Sequence, residues 1–415
     1  MRSRRTSSAV CAALVLAAAV ATGCGSSSSS GPPTLNWYVF NEPGGGYDAA
    51  VANCNKQAAG RYKINYVKLP TDSDQQRELI VRRLAAKDSD IDVIGMDVNW
   101  TAEFAQAGWI VPWEGANKTA AEKGIIPALL ASAQYKGKTW VAPFTTNTQL
   151  LWYHKDVVKG PPPKTWDEMV SQAKKIGPPH GKVVVQGRRY EGLVVWFNSL
   201  VASAGGEILN RQGDVVLGQP AVEAARIMKT VATQVGTPSV ANEKEDTGND
   251  AFTGGDLAFM VNYPFVYASV ATDKKALKNL GVARYPTVKQ GEPSHVTFGG
   301  INLGISVYSK HRALAFEAAK CLRSDANAIP IAQKGGLAPT KQALYNTAGI
   351  KKAFPFAKLM ETALANGVPR PVLPAYADIS LAIQDKLHPP NDIDPQSSIK
   401  NLGDALKKAK EGKLF

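Results

Sequence analysis

The sequence predicts an α/β fold with two lobes, and its length and the order of its apolar segments support this. The 415-residue chain exceeds the size at which a single hydrophobic core usually stops growing, so two domains or lobes are expected. Near its start, short apolar runs alternate with amphipathic stretches. A strand, helix, strand, helix, strand order is typical of a parallel, doubly wound sheet.

The first five elements justify that fold class one by one. We predict a strand over 35–40, a helix over 47–57, a strand over 62–67, a helix over 74–86 and a strand over 91–96. The last run is almost continuously apolar, which indicates a strand covered on both faces. Thr165 and Glu168 form a capping box that starts a helix. Further elements are expected at 251–260, 296–307 and 313–323, the middle one a strand pair through Gly299 and Gly300.

The first 33 residues predict export and a lipid anchor. Three arginines precede an apolar stretch at 9–20, which is shorter than the about 20 residues that span a bilayer. Small residues then lead into Cys24, as in the processing site of bacterial lipoproteins. We therefore expect a signal peptide over 1–23, acylation of Cys24 and a flexible Ser-rich tether over 24–33. Ordinary cleaved secretion and an uncleaved membrane helix are the alternatives.

Two cysteines remain in the predicted mature chain, because Cys11 leaves with the signal and Cys24 carries the lipid. Cys54 and Cys321 are expected to form a disulfide, since an exported protein enters an oxidising compartment. The alternative is two unpaired buried thiols. Neither cysteine has a neighbouring Cys or His that would suggest redox chemistry or a metal site. We expect no metal and no cofactor.

The net charge is +13, and loss of Arg2, Arg4 and Arg5 with the signal lowers it to +10. The remaining basic residues are scattered, without the dense cluster or the motifs of a nucleic-acid-binding protein. A nucleic-acid partner is therefore not expected. Affinity for an anionic cell envelope and a plain solvated basic surface both fit the charge.

Several segments carry a family resemblance. In order along the chain they are WVAPFTTNTQLLWYHKD at 140–156, PKTWDE at 163–168, VTFGGINLGI at 296–305 and GGLAP at 335–339. These segments resemble extracellular solute-binding proteins of carbohydrate ABC importers, the maltose-binding-protein class. Within that class, the chain is similar to actinobacterial trehalose-binding lipoproteins at DVIGMDVNWTAEF (92–104), EGLVVWFN (191–198) and VPRP (368–371).

The resemblance implies a two-lobed periplasmic-binding-protein-like fold of class II, in which each lobe is a mostly parallel sheet flanked by helices. The expected lobe one comprises 34–143 and 289–339, and lobe two comprises 144–288 and 340–415. Both Cys54 and Cys321 then lie in lobe one. Sugar would bind in the cleft between the lobes.

The resemblance also implies the partners. The chain would be a monomeric substrate-binding subunit on the outer face of the cell membrane that delivers a disaccharide, trehalose, to an ABC permease. A separate ATPase would drive transport. Maltose, malto-oligosaccharides and other sugars are the alternative ligands.

Strand ends supply the first candidate ligand-binding residues. Asp97 directly follows the apolar run at 91–96, and ligands of open parallel sheets bind beyond the carboxyl ends of strands. Its carboxylate can accept hydrogen bonds from two hydroxyl groups. A cap for a helix at 101–106 is the alternative role. Asn41 and Glu42 occupy the equivalent position after the first strand.

Three further polar residues fit a sugar. Asn147 offers both a donor and an acceptor, and Arg370, fixed by Pro371, offers five donors. A turn in a hinge and a surface arginine are the alternative roles. By resemblance, Glu245 reaches the sugar from lobe two, although its charged neighbours are also typical of a solvated run.

Tyr263 stands where the trehalose-binding proteins usually have Trp, and its ring can cover the apolar C–H face of a pyranose. Gly299 and Gly300 would let backbone amides approach the sugar, unless they form a plain strand turn. Trp152 and Trp196 are expected in the core.

The sequence favours binding over catalysis. It contains no HExxH, GxSxG, Walker A or GxGxxG motif, and its five histidines are isolated. A secreted glycoside hydrolase is the remote alternative, because two suitably spaced carboxylates would suffice for that chemistry. Release of reducing sugar from a disaccharide would distinguish the two.

Overall fold

The computed structural model describes residues 31–210 and 212–413. From Pro33 onward the described chain forms one compact unit. The predicted signal peptide, Cys24 and most of the Ser-rich tether lie outside the described residues. In the described part of the chain, no helix combines the length and the apolar character needed to cross a membrane.

The strands build two larger sheets and a two-stranded ribbon. They are β1 Thr34–Phe40, β2 Lys63–Leu69, β3 Val93–Asp97, β4 Gln134–Tyr135, β5 Lys138–Thr139, β6 Ala142–Asn147, β7 Leu150–His154, β8 Val183–Val184, β9 Phe259–Asn262, β10 Leu280–Ala283, β11 Gly299–Ile305 and β12 Ala338–Pro339.

Most of the remaining chain is helical. The α-helices are α1 Gly46–Ala58, α2 Ser73–Ala85, α3 Thr101–Gln106, α4 Gly115–Glu122, α5 Pro127–Leu130, α6 Trp166–Ile176, α7 Glu191–Ser203, α8 Gln219–Thr230, α9 Glu245–Gly255, α10 Phe265–Ser269, α11 Lys274–Asn279, α12 Arg312–Leu322, α13 Asp325–Gly335, α14 Ala348–Ala353, α15 Ala357–Ala365, α16 Tyr376–Leu387 and α17 Pro395–Lys410.

The predicted strand, helix, strand, helix, strand start is confirmed, because β1, α1, β2, α2 and β3 follow one another as expected. Helix α6 begins at the predicted cap, where Thr165 Oγ1 accepts a hydrogen bond from the Glu168 backbone N–H at 3.0 Å. The Glu168 carboxylate reaches back one residue further than a capping box requires, to the Lys164 N–H. The segment 251–260 holds the end of α9 and the start of β9.

Two sheets define two lobes. The six-stranded sheet of lobe one has the order β12-β6-β11-β3-β1-β2, and the four-stranded sheet of lobe two has the order β10-β7-β9-β8. In lobe one, β1 pairs in parallel with β2 and β3, whereas β6, β11 and β12 run antiparallel to their neighbours. The sheets are therefore mixed rather than mostly parallel. Strand β11, which follows β10 of lobe two along the chain, runs antiparallel to both β3 and β6 in the lobe-one sheet.

The crossings between the lobes follow from the strand assignments. Strand β6 belongs to the lobe-one sheet as far as Asn147, and β7 of the lobe-two sheet begins at Leu150. The boundary expected at 143/144 falls inside β6. One apolar cluster joins side chains of both lobes, including Trp152 of β7 and Ala338 of β12. Trp196 lies in the core of lobe two, so both tryptophans are core residues, as predicted.

Gly299 and Gly300 do not turn the chain, so the expectation of a strand pair through them is wrong. Both lie in the single strand β11, where Gly299 pairs with Asn147 and Gly300 with Thr146. A Cβ atom on Gly299 would lie 2.4 Å from Asn147 Oδ1, and one on Gly300 would lie 2.2 Å from the Thr145 carbonyl oxygen. Close approach of a neighbouring strand, together with φ +132° at Gly300, requires glycine here.

Cys54 of α1 and Cys321 of α12 form the predicted disulfide, with their Cα atoms 5.8 Å apart. Both side chains belong to a cluster in the core of lobe one. The cross-link therefore joins two helices of one lobe and does not cross the cleft.

Removal of this disulfide is expected to lower stability without weakening ligand binding. The bond closes a loop of 267 residues, so a Cys54→Ser, Cys321→Ser variant should lose roughly 2–5 kcal/mol of unfolding free energy in denaturant titration. Ligand affinity should stay within about two-fold of wild type, because the lobe-one core keeps its packing. Recovery of free thiols at both positions from the exported protein would contradict the pairing.

Candidate functional site

Asp97 ends β3 in lobe one and is held by two side chains. Its Oδ1 accepts a hydrogen bond from Arg370 Nη2 at 2.6 Å, and its Oδ2 accepts one from Ser73 Oγ at 2.9 Å. It does not cap α3, which begins at Thr101 without a side-chain cap. The strand-end position of Asp97 was thus predicted, and its alternative role as a helix cap is not observed.

Arg370 is a buried residue rather than a surface arginine, because its side chain is 3% exposed. Its guanidinium group is shared: Nη2 donates to Asp97 of lobe one, and Nη1 donates to Glu191 at 2.8 Å. The segment before it is fixed by backbone pairing, in which the N–H of Val368 donates to the Val296 carbonyl and the N–H of Phe298 donates to the Val368 carbonyl. Arg370 therefore joins Asp97 of lobe one to Glu191 of lobe two from an anchored loop.

Glu191 is the residue that the sequence analysis missed. It is the first residue of α7 in lobe two, and its side chain is 7% exposed. Its carboxylate accepts hydrogen bonds from Arg370, from the Tyr376 hydroxyl, from Ser380 Oγ at 2.5 Å and from Asn99 Nδ2 at 3.4 Å. The sequence did contain a signal, because a glutamate begins the apolar run at 191–201. An acid buried in such a position needs hydrogen-bond or charged partners.

The charged groups of this cluster alter one another's pKa values. Burial and the nearby Asp97 raise the pKa of Glu191, while Arg370 opposes the shift. Burial alone would lower the pKa of Arg370, but Asp97, Tyr376 and Glu191 raise it. The guanidinium group therefore remains charged and is attracted to both lobes.

Glu245 and Tyr263 lie together in lobe two. Glu245 begins α9, and its Oε2 accepts a hydrogen bond from the Tyr190 hydroxyl at 2.8 Å. Burial raises the pKa of Glu245, which is half-buried, while its neighbours Lys244 and Asp246 pair with each other. Tyr263 follows β9 and is 8% exposed. Burial and the charge of Glu245 raise the pKa of Tyr263, and the charge of Arg370 opposes the shift.

Asn147 lies where β6 leaves lobe one for lobe two. Its Oδ1 is buried and has no hydrogen-bond partner among the described residues. The same holds for Thr148 Oγ1, for Gln149 Oε1 and for Arg370 Nε. Buried polar atoms are usually satisfied, so each of these atoms is open to a hydrogen bond with a polar ligand or water.

Among the described residues, Glu42 and Asn41 form no hydrogen bond with the side chains of Asp97, Arg370 or Glu191. The buried Glu42 carboxylate accepts hydrogen bonds from the backbone N–H groups of Gly44, Gly46 and Tyr47, and so caps the start of α1. Asn41 is exposed, and its N–H donates to the Leu69 carbonyl. The described residues contain no group of His, Cys, Asp and Glu side chains that could hold a metal ion.

A family model described as bacterial extracellular solute-binding protein matches residues 49–357. The chain belongs to this family. The solute-binding protein is 28% identical over 356 residues to a probable ABC transporter-binding protein of Deinococcus radiodurans. The match covers 80% of this chain and 82% of the Deinococcus protein. It is 27% identical over 263 residues to the diacetylchitobiose binding protein DasA of Streptomyces coelicolor, covering 61% and 60% of the two chains.

A solved structure, maltose-bound MalE3 of T. maritima, has the same fold. It superimposes with a TM-score of 0.83 at 28% identity and covers 90% of the solute-binding protein and 99% of MalE3. The predicted two-lobed periplasmic-binding-protein-like fold is therefore confirmed. Membership of this family also confirms a binding protein rather than an enzyme, working outside the cytoplasm.

The contact between β11 and Asn147 gives a test of the site's framework. Gly299→Ala should lower the unfolding free energy by roughly 1–3 kcal/mol, because the new Cβ forces Asn147 to move. The matched control is Gly254→Ala in α9, where a Cβ meets nothing within 4 Å and alanine should be neutral or stabilising. Equal unfolding free energies of the two variants in denaturant titration would refute this role of Gly299.

Proposed function

We propose that this solute-binding protein binds a disaccharide, trehalose, between its lobes and delivers it to an ABC permease. The observation that carries the proposal is the contact between the lobes at Arg370, which donates to Asp97 of lobe one and to Glu191 of lobe two. Asp97 and Asn147 at strand ends of lobe one, and Glu245 and Tyr263 of lobe two, would line the cleft beside this contact. These carboxylates, an amide, a guanidinium and an aromatic ring match the hydroxyl groups and C–H faces of a sugar.

The charge of this group favours a neutral ligand over an anion. Two carboxylates, those of Asp97 and Glu191, contact the one guanidinium of Arg370. An anion entering this cleft would meet excess negative charge, which is costly in a buried site. A sugar hydroxyl instead donates to a carboxylate and accepts from Arg370 without adding charge.

Relatives and motifs support the choice of sugar. DasA is named for diacetylchitobiose, and MalE3 was solved with maltose, so a relative and a structural neighbour are both connected with disaccharides. Trehalose is proposed on the resemblance at 92–104, 191–198 and 368–371, which contain Asp97, Glu191 and Arg370. Maltose and malto-oligosaccharides are the alternative ligands.

The mechanism is a shift of population toward the closed arrangement. A sugar that contacts Asp97 and Asn147 in lobe one and Tyr263 and Glu245 in lobe two binds the closed form more tightly than either lobe alone. This difference in affinity drives closure. The closed protein would then be recognised by the permease, while a separate ATPase supplies energy for transport.

The proposed location adds a lipid anchor. Acylation of Cys24 would fix the mature chain to the outer face of the membrane through the Ser-rich tether at 24–33. The protein would then act as a tethered monomer, close to its permease.

Trehalose should stabilise the soluble protein made without residues 1–24. A ligand at about 100 times its dissociation constant adds about 2.7 kcal/mol to the unfolding free energy, which thermal unfolding detects as a raised Tm. Maltose, maltotriose and diacetylchitobiose are compared at equal concentration. A large shift with maltotriose and none with trehalose would overturn the proposed ligand, and no shift with any sugar would overturn sugar binding.

Asp97→Ala should weaken trehalose binding by about ten- to a hundred-fold in titration calorimetry, because a hydrogen bond to a charged group contributes roughly 1.5–3 kcal/mol. Asp90→Ala is the control, since Asp90 lies in the turn before β3 in the same lobe and outside the cluster around Arg370. Both variants must keep the ligand-free Tm within a few degrees of wild type. Unchanged affinity in a folded Asp97→Ala protein would place the sugar elsewhere.

A further inference from the structure

We propose that Glu191 is a positioning residue, which holds Arg370 against Asp97 so that the chain Glu191–Arg370–Asp97 forms a latch between the lobes. The proposal rests on the proposed function, because it assigns Glu191 a part in lobe closure around the sugar. It also makes a separate claim: the latch consists of protein atoms, so it stabilises the closed arrangement in the presence or absence of sugar.

Helix α7 fixes the loop that carries Arg370 at two points. Glu191 accepts a hydrogen bond from Arg370 Nη1, and Asn198 Nδ2 donates to the Pro369 carbonyl at 3.2 Å. Residues 191 and 198 are seven positions apart and therefore lie on the same face of the helix. Asn198 also donates to Thr297 Oγ1 at 2.9 Å, on the segment that leads into β11. The arginine loop and this crossing segment are thus held by the same helix face.

The direction of the guanidinium group depends on Glu191. The planar guanidinium donates from its two terminal nitrogens in a fixed fork, so anchoring Nη1 on Glu191 aims Nη2 at Asp97, 2.6 Å away. Without the anchor, a long arginine side chain has many rotamers, of which few reach Asp97. Glu191 therefore acts on Asp97 through Arg370.

The anchor is itself rigid. Ser380 and Tyr376, both on α16, donate to Oε2 and Oε1 of Glu191. Asn99, which follows β3 in lobe one, donates to Oε1 at 3.4 Å. The partners of the Glu191 carboxylate are therefore side chains from the loop at Arg370, from α16 and from the segment after β3.

Because the latch is buried, it stabilises the closed arrangement when every charge is paired and destabilises it when one partner is missing. The side chains of Arg370 and Glu191 are 3% and 7% exposed, so neither charge is screened by much solvent. Removing one partner of such a group leaves an uncompensated buried charge. The closed arrangement should therefore weaken when Glu191 loses its charge, even if the sugar contacts remain.

Glu191→Gln tests the latch with two readouts. Spin labels at Ala85→Cys on α2 and Lys400→Cys on α17, both exposed, report the distance between the lobes. Without sugar, Glu191→Gln should shift the distance distribution toward longer separations. Its trehalose affinity should fall by about ten- to a hundred-fold. The matched control is Glu207→Gln, an exposed residue after α7, which should leave both readouts unchanged.

A double-mutant cycle separates positioning from a structural role. In the Arg370→Gln background, Glu191→Gln should change the affinity by less than about two-fold, because its effect passes through Arg370. Full additivity of the two variants, or no change in either readout for folded Glu191→Gln, would overturn the proposal.

Two further outcomes keep the test decisive. If Glu191→Gln does not fold, Tyr376→Phe and Ser380→Ala replace it, since each removes one donor to Glu191. Each should shift the interlobe distance in the same direction as Glu191→Gln, but by less. An unchanged distance in both variants would refute the latch. If the wild-type protein binds none of the sugars, the proposed function fails, while the sugar-free distances still decide whether the latch exists.

Discussion

The contact between the two lobes includes one buried guanidinium group that is shared between two carboxylates. Arg370 donates to Asp97 of lobe one and to Glu191 of lobe two. A lysine could not make both contacts in this geometry, because an ammonium group lacks the planar fork of donors. Burying these charges is costly unless each is paired and hydrogen bonded, so the lobes must meet with good geometry for the contact to contribute.

The two lobes supply their polar groups in different ways. Lobe one presents side chains from strand ends, with Asp97 at the end of β3 and Asn147 at the end of β6. Lobe two presents carboxylates from helix starts, with Glu191 first in α7 and Glu245 first in α9. Partial positive charge at a helix N-terminus stabilises a carboxylate there. In the proposed site, rigid elements would line both sides of the cleft, which suits a site that binds and releases a neutral ligand.

Local sequence predicted those features whose cause is local. Asp97 was found because it follows an apolar strand, and the α6 start because Thr165 and Glu168 are close in sequence. Glu191 was missed because its partners Tyr376 and Ser380 lie 185 and 189 positions away, and an acid in the first turn of a helix is otherwise ordinary. Gly299 and Gly300 resembled a turn for the same reason: the strand that requires them, β6, is distant in sequence.

The most direct test of this account is a crystal structure of the protein with trehalose. We expect the sugar between the lobes, within hydrogen-bond distance of Asp97, Asn147 and Arg370, with its C–H face on Tyr263 and with Arg370 still bound to Glu191. A sugar held by one lobe alone, or an Arg370 side chain turned into solvent away from Glu191, would contradict the central role given to the shared guanidinium group.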